Sequence, residues 1–338
     1  MMNTEFGVYK KELLSALESV RLASKATTEI QKSLQNKDIE KKSDSSPVTI
    51  ADYAAQAIIN RHLILHLGGD QKIVAEEESS DLKKPSNSGL LREIVRHVDS
   101  VIEISDSNEI LEFIDRGNHD ASSDRYWTLD PVDGTKGFIR GQQYAVSLAL
   151  IENGEVVLGV LGCPNLPSDQ SKSFESGDGE GTIYFSIKGK GAWSIATRAP
   201  INKKSKLKIS AKTEFDECRA CESVEASHSK FSYSSRIFDK MNISLSPLRL
   251  DSQCKYAVVA RGQAEIYLRI PTDYHYEEKI WDHAAGSLIA KEAGALVTDI
   301  KGKPLDFRTG KTLKKNQGIA CTLPTFHSKL LEAIGNTI

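Results

Sequence analysis

Hydrophobic and polar positions divide the chain into a first half of helices followed by strands. Apolar residues at helical spacing, including Leu13, Leu17 and Val20, predict an amphipathic helix over 8–34. A second helix is predicted from about Asp52 to Leu67, where two glycines end it. Short apolar runs then predict strands at 72–75, 126–129, 144–151, 155–163, 182–187 and 191–194.

The second half alternates between strand and helix patterns, which is typical of layered α/β packing. The basic segment 199–206 contains Pro200 and is the predicted boundary between an α+β domain, 1–198, and an α/β domain, 199–338. The acidic stretch 79–124 is predicted to be helix or loop, as a lid or a helical insertion. Beyond the boundary the predicted elements are strand 220–224, helices 229–241 and 253–260, strand 264–269, helix 281–293, strands 296–299 and 318–321, and helix 325–334.

Composition and charge exclude several classes of protein. The 338 residues include 44 Lys and Arg against 46 Asp and Glu, a net charge of −2, and this balance argues against binding a nucleic acid polymer. No apolar run reaches the roughly 18 residues that span a bilayer. The first residues contain acids and no apolar core, so we expect neither a secretory signal nor a transit peptide. We therefore expect a cytoplasmic protein.

The cysteines agree with a reducing compartment. There are five, an odd and sparse set, so a disulfide framework is not expected. Cys218 and Cys221 form a C-x-x-C pair, but a zinc site would need two further ligands at suitable spacing. The simpler interpretation places both cysteines in a strand and its approach.

Candidate chemistry begins at the end of the strand 126–129. Asp130-Pro-Val-Asp133-Gly134-Thr135 supplies two carboxylates three residues apart, which suits a hard cation such as Mg²⁺. The amides of Gly134 and Thr135 could hold a phosphate oxygen if a helix begins there. An ordinary strand-ending turn explains the same residues.

Other acids are equally ambiguous when taken singly. Glu76-Glu77-Glu78 follows a short strand, and such a cluster is more often a solvated loop. Asp282 stands at a predicted helix start, where an N-cap is the simpler role. Asp52 also lies near a helix start, where the dipole favours negative charge. Because acidic residues occur at such positions on four separate segments, it is less plausible that every one of them has only the simpler role.

Together the motifs resemble the inositol monophosphatase superfamily of lithium-sensitive, magnesium-dependent phosphomonoesterases. The resemblance rests on Glu76-Glu77, Asp130 to Thr135 and Trp281-Asp-His-Ala-Ala-Gly286, in this order. Further stretches are similar to one branch, the 3'(2'),5'-bisphosphate nucleotidases. They are Ser46 to Gln56, Asp133 to Phe138, Gly162 to Asn165, Leu250 to Tyr256 and Tyr267 to Arg269.

The resemblance implies a fold, a reaction and a cofactor. The fold is the sugar-phosphatase type, with layers alternating α-β-α-β-α. The reaction removes the 3'-phosphate of adenosine 3',5'-bisphosphate, giving AMP, and also that of the sulfate donor PAPS. The cofactor is Mg²⁺, about two or three ions per site, which activate water for attack. The partner is thus a small nucleotide, and we expect a monomer.

Site residues follow from the same resemblance. Glu76, Asp130 and the carbonyl of Val132 would hold one Mg²⁺, and Asp130, Asp133 and Asp282 a second. Asp52, Thr135 and Glu76 would orient and deprotonate the attacking water. The residues that would bind the substrate are Gly134, Thr135, His228, Ser252, Lys255 and Arg269.

Several alternatives stay open. With three consecutive glutamates, the metal ligand could be Glu77 instead of Glu76. His228 could be an ordinary surface histidine, and Lys136 and Arg140 could steer the anion or simply face solvent. The substrate could be an inositol polyphosphate 1-phosphate or another sugar phosphate, because the metal motifs are shared. A catalytically inactive, metal-binding regulator is the non-enzymatic alternative.

Overall fold

The computed structural model describes residues 5–35, 47–172, 174, 177–209, 217–224, 231–273 and 275–338. The helices are α1 Lys10–Gln35, α2 Pro47–Leu67, α3 Ser88–Ile102, α4 Ser107–Asp115, α5 Thr135–Ile139, α6 Phe231–Lys240, α7 Cys254–Ala260, α8 Ala284–Ala293 and α9 Pro324–Gly335. The strands are β1 Ile73–Ala75, β2 Arg125–Asp133, β3 Ala145–Glu152, β4 Glu155–Cys163, β5 Thr182–Ile187, β6 Gly191–Ala196, β7 Ser205–Leu207, β8 Ala220–Glu222, β9 Leu248–Arg249, β10 Ile266–Arg269, β11 Leu296–Thr298 and β12 Ile319–Thr322.

The strands form two sheets. The first has the order β1-β2-β3-β4-β5-β6-β7, with β1 parallel to β2 and every other neighbour antiparallel. The second has the order β11-β12-β10-β8-β9. Because β2 to β7 each pair antiparallel with the next strand in sequence, most of the first sheet folds as a meander, with a tight turn at Asn153-Gly154 between β3 and β4.

Helices cover both faces of each sheet and produce the layering. Helices α1 and α2 pack on one face of the first sheet, and α7 and α8 occupy the space between the two sheets. Helix α9 packs on the far face of the second sheet beside α6. The order is therefore α-β-α-β-α, and the predicted fold class is confirmed.

Buried apolar residues explain the central layer. Helix α8 is buried along nearly its whole length, from Ala284 to Ala290, because sheets lie on both sides of it. Its small residues allow close approach: a Cβ added to Gly286 would lie 2.4 Å from the Tyr256 ring. Such an all-round apolar helix is what a layer between two sheets requires.

Several predicted boundaries differ from the structure. Helix α2 begins at Pro47 rather than near Asp52, because proline needs no N–H partner in the first turn of a helix. Asp52 therefore lies inside the helix, more than a turn from its start. Helix α8 begins at Ala284, with His283 at its N-cap, so Asp282 does not cap it. The acidic stretch 79–124 contains helices α3 and α4, which pack against α2.

The predicted domain boundary between residues 198 and 199 stays a prediction. Strand β7 lies beyond it, yet pairs with β6 in the first sheet, so a division by sheet membership falls after Leu207. Cys221 lies in β8 and Cys218 just before it, as the simpler interpretation expected, and both are buried and not joined in a disulfide. Among the described residues, no helix is long and apolar enough to cross a membrane.

Candidate active site

One cavity of about 630 Å³ collects nearly all the predicted site residues. Its walls come from the end of β2, the turn before α7, strand β10 and the segment that leads into α8. The predicted residues that line it are Glu76, Asp130, Val132, Asp133, Gly134, Thr135, Ser252, Lys255, Arg269 and Asp282. Lys136 lines it as well.

Parallel pairing of β1 with β2 brings the first two acids together. Ile73 pairs with Trp127 and Ala75 with Leu129, so Glu76 and Asp130 are the next residues in the same register. Since both strands run in one direction, both acids emerge at the same edge of the sheet. The sequence places these acids more than fifty positions apart, and the sheet makes them neighbours.

The end of β2 departs from regular pairing. The β2–β3 register shifts between Asp130 and Asp133, which lets this short segment present two acids and the Val132 backbone to one cavity. Gly134 follows with a φ of 91°, a left-handed conformation that glycine adopts easily, and α5 begins at Thr135. A Cβ at Gly134 would lie 2.9 Å from the Ser252 Cβ, so the turn also needs glycine for space.

Glu76, Asp130, Asp133 and Asp282 form one side of the cavity, here called the acidic wall, and their carboxylates repel one another. Burial raises the pKa of Asp130 well above its usual value, and the neighbouring carboxylates, Glu76 first, raise it further. The pKa of Asp133 and that of Asp282 are also raised, in each case mainly by burial. Glu76 is open to the cavity, yet desolvation and then repulsion from Glu77 raise its pKa to about 7.

Glu77 and Asp52 lie beside this wall rather than on it. The amide of Gln56 in α2 donates to the Glu77 carbonyl at 2.7 Å and accepts from the Glu77 N–H at 3.1 Å. Neither Glu77 nor Asp52 lines the cavity. Asp52 is buried, and its pKa is raised well above the usual value by burial and then by Glu77 and Glu76. It therefore stands directly behind the glutamates.

Lys255 and Arg269 line another part of the cavity, here called the cationic wall. Lys255 is buried at 3% exposure, donates from Nζ to the Leu250 carbonyl at 3.2 Å and lies 5.4 Å from the centre of the Tyr267 ring. Burial lowers its pKa, and the nearby Asp133 and Asp251 oppose that shift. Arg269 donates from Nε to Glu278 at 2.8 Å. The charge of this wall complements that of the acidic wall.

Glu278 belongs to a closed hydrogen-bond network. One of its oxygens accepts from Arg269, and the other is 3.2 Å from His283 Nε2. The remaining ring nitrogen of His283 is 3.0 Å from the Tyr256 hydroxyl. Burial alone would raise the pKa of Glu278, but Arg269 and then His283 hold it at about 2. Glu278, Asp282 and His283 come close enough to suggest a separate metal site, but Glu278 is already satisfied.

The acidic wall fits a bound divalent cation by its own chemistry. Oδ1 of Asp130 is buried and has no hydrogen-bond partner among the described residues. A buried acceptor without a partner costs free energy, and a cation would remove both that cost and the repulsion. All the candidate donors are oxygens, which Mg²⁺ prefers. We therefore find that these residues fit a hard metal ion.

One predicted site residue cannot be placed, and three residues at or near the site were not predicted. His228 lies outside the described residues. Sequence reasoning did not single out Glu278, Gln253 or Asp251, although the last two stand inside the quoted stretch 250–256. Asp251 is buried, forms an ion pair with Arg140 and accepts from the Val224 N–H at 3.3 Å. The polar residues on either side of the predicted substrate contact Ser252 were the signal that could have indicated Asp251 and Gln253.

Comparisons with known proteins test the resemblance that the motifs predicted. The model of the inositol monophosphatase family matches residues 12–338. A probable 3'(2'),5'-bisphosphate nucleotidase 4 of Arabidopsis thaliana is 40% identical over 340 residues, covering 98% of this chain and 96% of the relative. A 3'(2'),5'-bisphosphate nucleotidase of Emericella nidulans is 42% identical over 316 residues, covering 87% and 89%.

A solved structure supports the fold. The inositol monophosphatase of Thermotoga maritima superimposes with a TM-score of 0.62 at 20% identity, covering 96% of this chain and 97% of the other. At this identity the likeness shows the fold alone. The resemblance predicted from the motifs is confirmed by the family match and by the relatives.

Proposed function

This chain belongs to the inositol monophosphatase family, and on that premise we propose that it is a Mg²⁺-dependent 3'(2'),5'-bisphosphate nucleotidase. It removes the 3'-phosphate of adenosine 3',5'-bisphosphate to give AMP, and that of PAPS as well. One observation carries the proposal: a single cavity combines a wall of carboxylates with Lys255 and Arg269. Relatives named for this activity, near 40% identity over most of their length, support it.

The acidic wall supplies the metal ligands. Glu76, Asp130 and the Val132 carbonyl would hold one Mg²⁺, and Asp130 with Asp133 and Asp282 would hold another. Glu76 is favoured over Glu77 because it lines the cavity next to Asp130. When bound, such ions lower the pKa of water and stabilise charge on a phosphoryl group. The number of ions in the site, two or three, and inhibition by Li⁺ are taken from the family resemblance.

Proton transfer is assigned to the residues beside Glu76. Asp52 and Thr135 orient the attacking water and take its proton, with Glu76 close by. Burial, and then repulsion from Glu77 and Glu76, raise the pKa of Asp52, so its carboxylate accepts a proton more readily than an exposed aspartate does. Thr135 lines the cavity at the start of α5, so its hydroxyl can reach a water in that space.

Substrate binding is divided between two groups. Gly134 and Thr135 contact the phosphate that is cleaved, near the metal ligands, and Ser252 helps to hold the adenosine and its phosphates. Lys255 and Arg269 bind the phosphate that remains, since charge-assisted hydrogen bonds are the strong ones. Arg269 is held from one side by Glu278, which keeps its guanidinium in a fixed place at the cavity wall. His228 stays a proposed contact to the base or ribose.

A substrate panel at fixed Mg²⁺ tests the proposal. We expect phosphate release from adenosine 3',5'-bisphosphate to exceed release from inositol 1,4-bisphosphate and from fructose 1,6-bisphosphate, and to stop when Mg²⁺ is chelated. Preferred hydrolysis of an inositol phosphate would favour the sugar-phosphate alternative. Metal binding without turnover of any substrate would favour the inactive regulator.

A further inference from the structure

Gln253 lies at the junction of the segments that carry the metal-site acids. It is buried at 2% exposure and stands just before α7. Its backbone N–H donates to Oδ2 of Asp133 at 2.6 Å. Hence one end of this residue is fixed to an acid on the end of β2.

The side-chain amide of Gln253 reaches two further segments. Nε2 donates to the Trp281 carbonyl at 2.8 Å and to the Ser147 hydroxyl at 2.8 Å. Oε1 accepts from the Gly286 N–H at 2.9 Å. All of these groups are buried, so each hydrogen bond would be costly to lose.

These contacts lie next to the acids along the chain or across the sheet. Trp281 directly precedes Asp282, and Gly286 lies in the first turn of α8, just beyond it. Ser147 is the cross-strand partner of Asp130. The Ser147 hydroxyl is also 3.3 Å from the Trp281 carbonyl, so the two segments meet at Gln253. Through its backbone N–H and its side-chain amide, Gln253 therefore touches the immediate surroundings of three carboxylates.

We propose that Gln253 is a positioning residue that fixes Asp133 and Asp282 relative to each other and so sets the affinity of the site for Mg²⁺. This inference rests on the proposed function in assigning both acids to a metal. The two acids repel each other, and they stand on segments roughly 150 residues apart in sequence, so their spacing needs an external brace. Partners that hold metal ligands in place commonly change metal affinity by about 10- to 100-fold.

The experiment compares Gln253→Met with Gln143→Met. Methionine keeps the length of the side chain and removes every side-chain hydrogen bond. Gln143 is a matched control: it is buried at 5% exposure, and its Nε2 donates at 2.8 Å to two carbonyls, those of Asn165 and Phe174, away from the acids. The readout is the apparent Mg²⁺ dissociation constant, from the rise in unfolding temperature as Mg²⁺ is added to the chelated full chain.

We expect Gln253→Met to raise the Mg²⁺ dissociation constant by about 10- to 100-fold. Gln143→Met should leave it close to that of the original protein, although both variants lower the unfolding temperature of the metal-free form. An unchanged constant in Gln253→Met, or an equal rise in both variants, overturns the inference. If the original protein shows no response to Mg²⁺, the metal assignment falls, and the inference falls with it.

A milder variant keeps the inference testable if Gln253→Met does not fold. Ser147→Ala leaves Gln253 intact and removes one acceptor of its amide. It also removes the hydrogen bond from the Ser147 hydroxyl to the Trp281 carbonyl, so we expect the dissociation constant to rise by about threefold or more. Unchanged Mg²⁺ affinity in a folded Ser147→Ala protein would show that this brace does not set the affinity.

Discussion

Two walls of the same cavity handle buried charge in opposite ways. On the cationic wall, Arg269, Glu278 and His283 satisfy one another, and Glu278 stays ionised because its partners are in place. On the acidic wall, burial and then repulsion from neighbouring carboxylates raise the pKa of Asp130, whose Oδ1 has no partner among the described residues. The first wall is electrostatically complete, whereas the second would be completed by an added cation.

The difference separates two kinds of pre-organisation. A network that is already neutral holds its geometry without a ligand and can present a guanidinium at a fixed place. A cluster of repelling acids holds its geometry only through its attachments, such as the hydrogen bond from Gln253 to Asp133. Changes to the acidic wall should therefore affect turnover most, and changes to the cationic wall should affect substrate affinity.

The largest effect is expected from Asp133→Asn. Asparagine still accepts a hydrogen bond from Gln253 but removes a charge from the metal site, so kcat/KM should fall by about 100- to 1000-fold with the unfolding temperature little changed. Steady-state phosphate release and thermal unfolding measure the two quantities. The control is Asp239→Asn, at an exposed aspartate on α6. Normal turnover in Asp133→Asn would remove Asp133 from the mechanism.

A smaller, selective effect is expected from Lys255→Met. Loss of a charge-assisted hydrogen bond corresponds to about 1.5–3 kcal/mol, so KM for the bisphosphate should rise by about tenfold or more. KM for a nucleoside monophosphate should change much less, because it lacks the phosphate that Lys255 binds. Lys240→Met on α6 serves as the remote control. Equal changes for both substrates would refute a role in phosphate binding.

Removal of the metal should reverse the usual effect of pH on a carboxylate-rich protein. The pKa of Glu76 is raised to about 7 in the fold, whereas its ordinary value is 4.5. Between these values the folded chain holds a proton that the unfolded chain has released, so stability falls as pH rises. We expect the chelated protein to unfold at a lower temperature at pH 7.5 than at pH 5.5.

Two further measurements sharpen this expectation. Addition of Mg²⁺ at pH 7.5 should restore the unfolding temperature, because the cation binds the ionised carboxylates. Glu76→Gln should reduce the pH dependence of the chelated protein, since it removes one titrating group. A chelated protein that is more stable at pH 7.5 than at pH 5.5 would contradict the repulsion described for the acidic wall.

The smallest effect is expected on stability, from Gly134→Ala. Gly134 has a φ of 91° and too little space for a Cβ beside Ser252, so backbone strain and a clash add together. Gly262 has a φ of 73° and open space around it, so Gly262→Ala isolates the strain. Strain of this kind costs about 1–3 kcal/mol. Urea unfolding should show a larger loss in the free energy of unfolding for Gly134→Ala than for Gly262→Ala. An equal loss would show that the contact with Ser252 yields easily.

The sequence predicted those parts of the site that are local. Asp130, Val132, Asp133 and Thr135 lie within six positions, where a strand pattern followed by turn residues already suggested one edge of a sheet. The layered fold came from the family resemblance, and the structure confirms it. The start of α2 was predicted too late, near Asp52, whereas the helix begins at Pro47, because a first helical turn accepts proline.

Contacts between distant segments could not be predicted. The hydrogen bond from Gln253 to Asp133 joins residues 120 positions apart, and it involves a backbone N–H that every residue except proline carries. The pairing of Arg269 with Glu278 spans a turn whose path is set by tertiary packing. Sequence patterns indicate which residues have chemistry to offer, but these partners depend on how the layers meet.

The amide of Gln56 decides which glutamate of an identical run faces Asp130. By binding both the N–H and the carbonyl of Glu77, it acts like one peptide unit of an additional strand and fixes how far β1 extends. Glu76, Glu77 and Glu78 have the same side chain. Their surroundings differ because Gln56 of α2 holds the backbone of Glu77. A shift of one residue at this point would leave the composition of the run unchanged and rearrange the site.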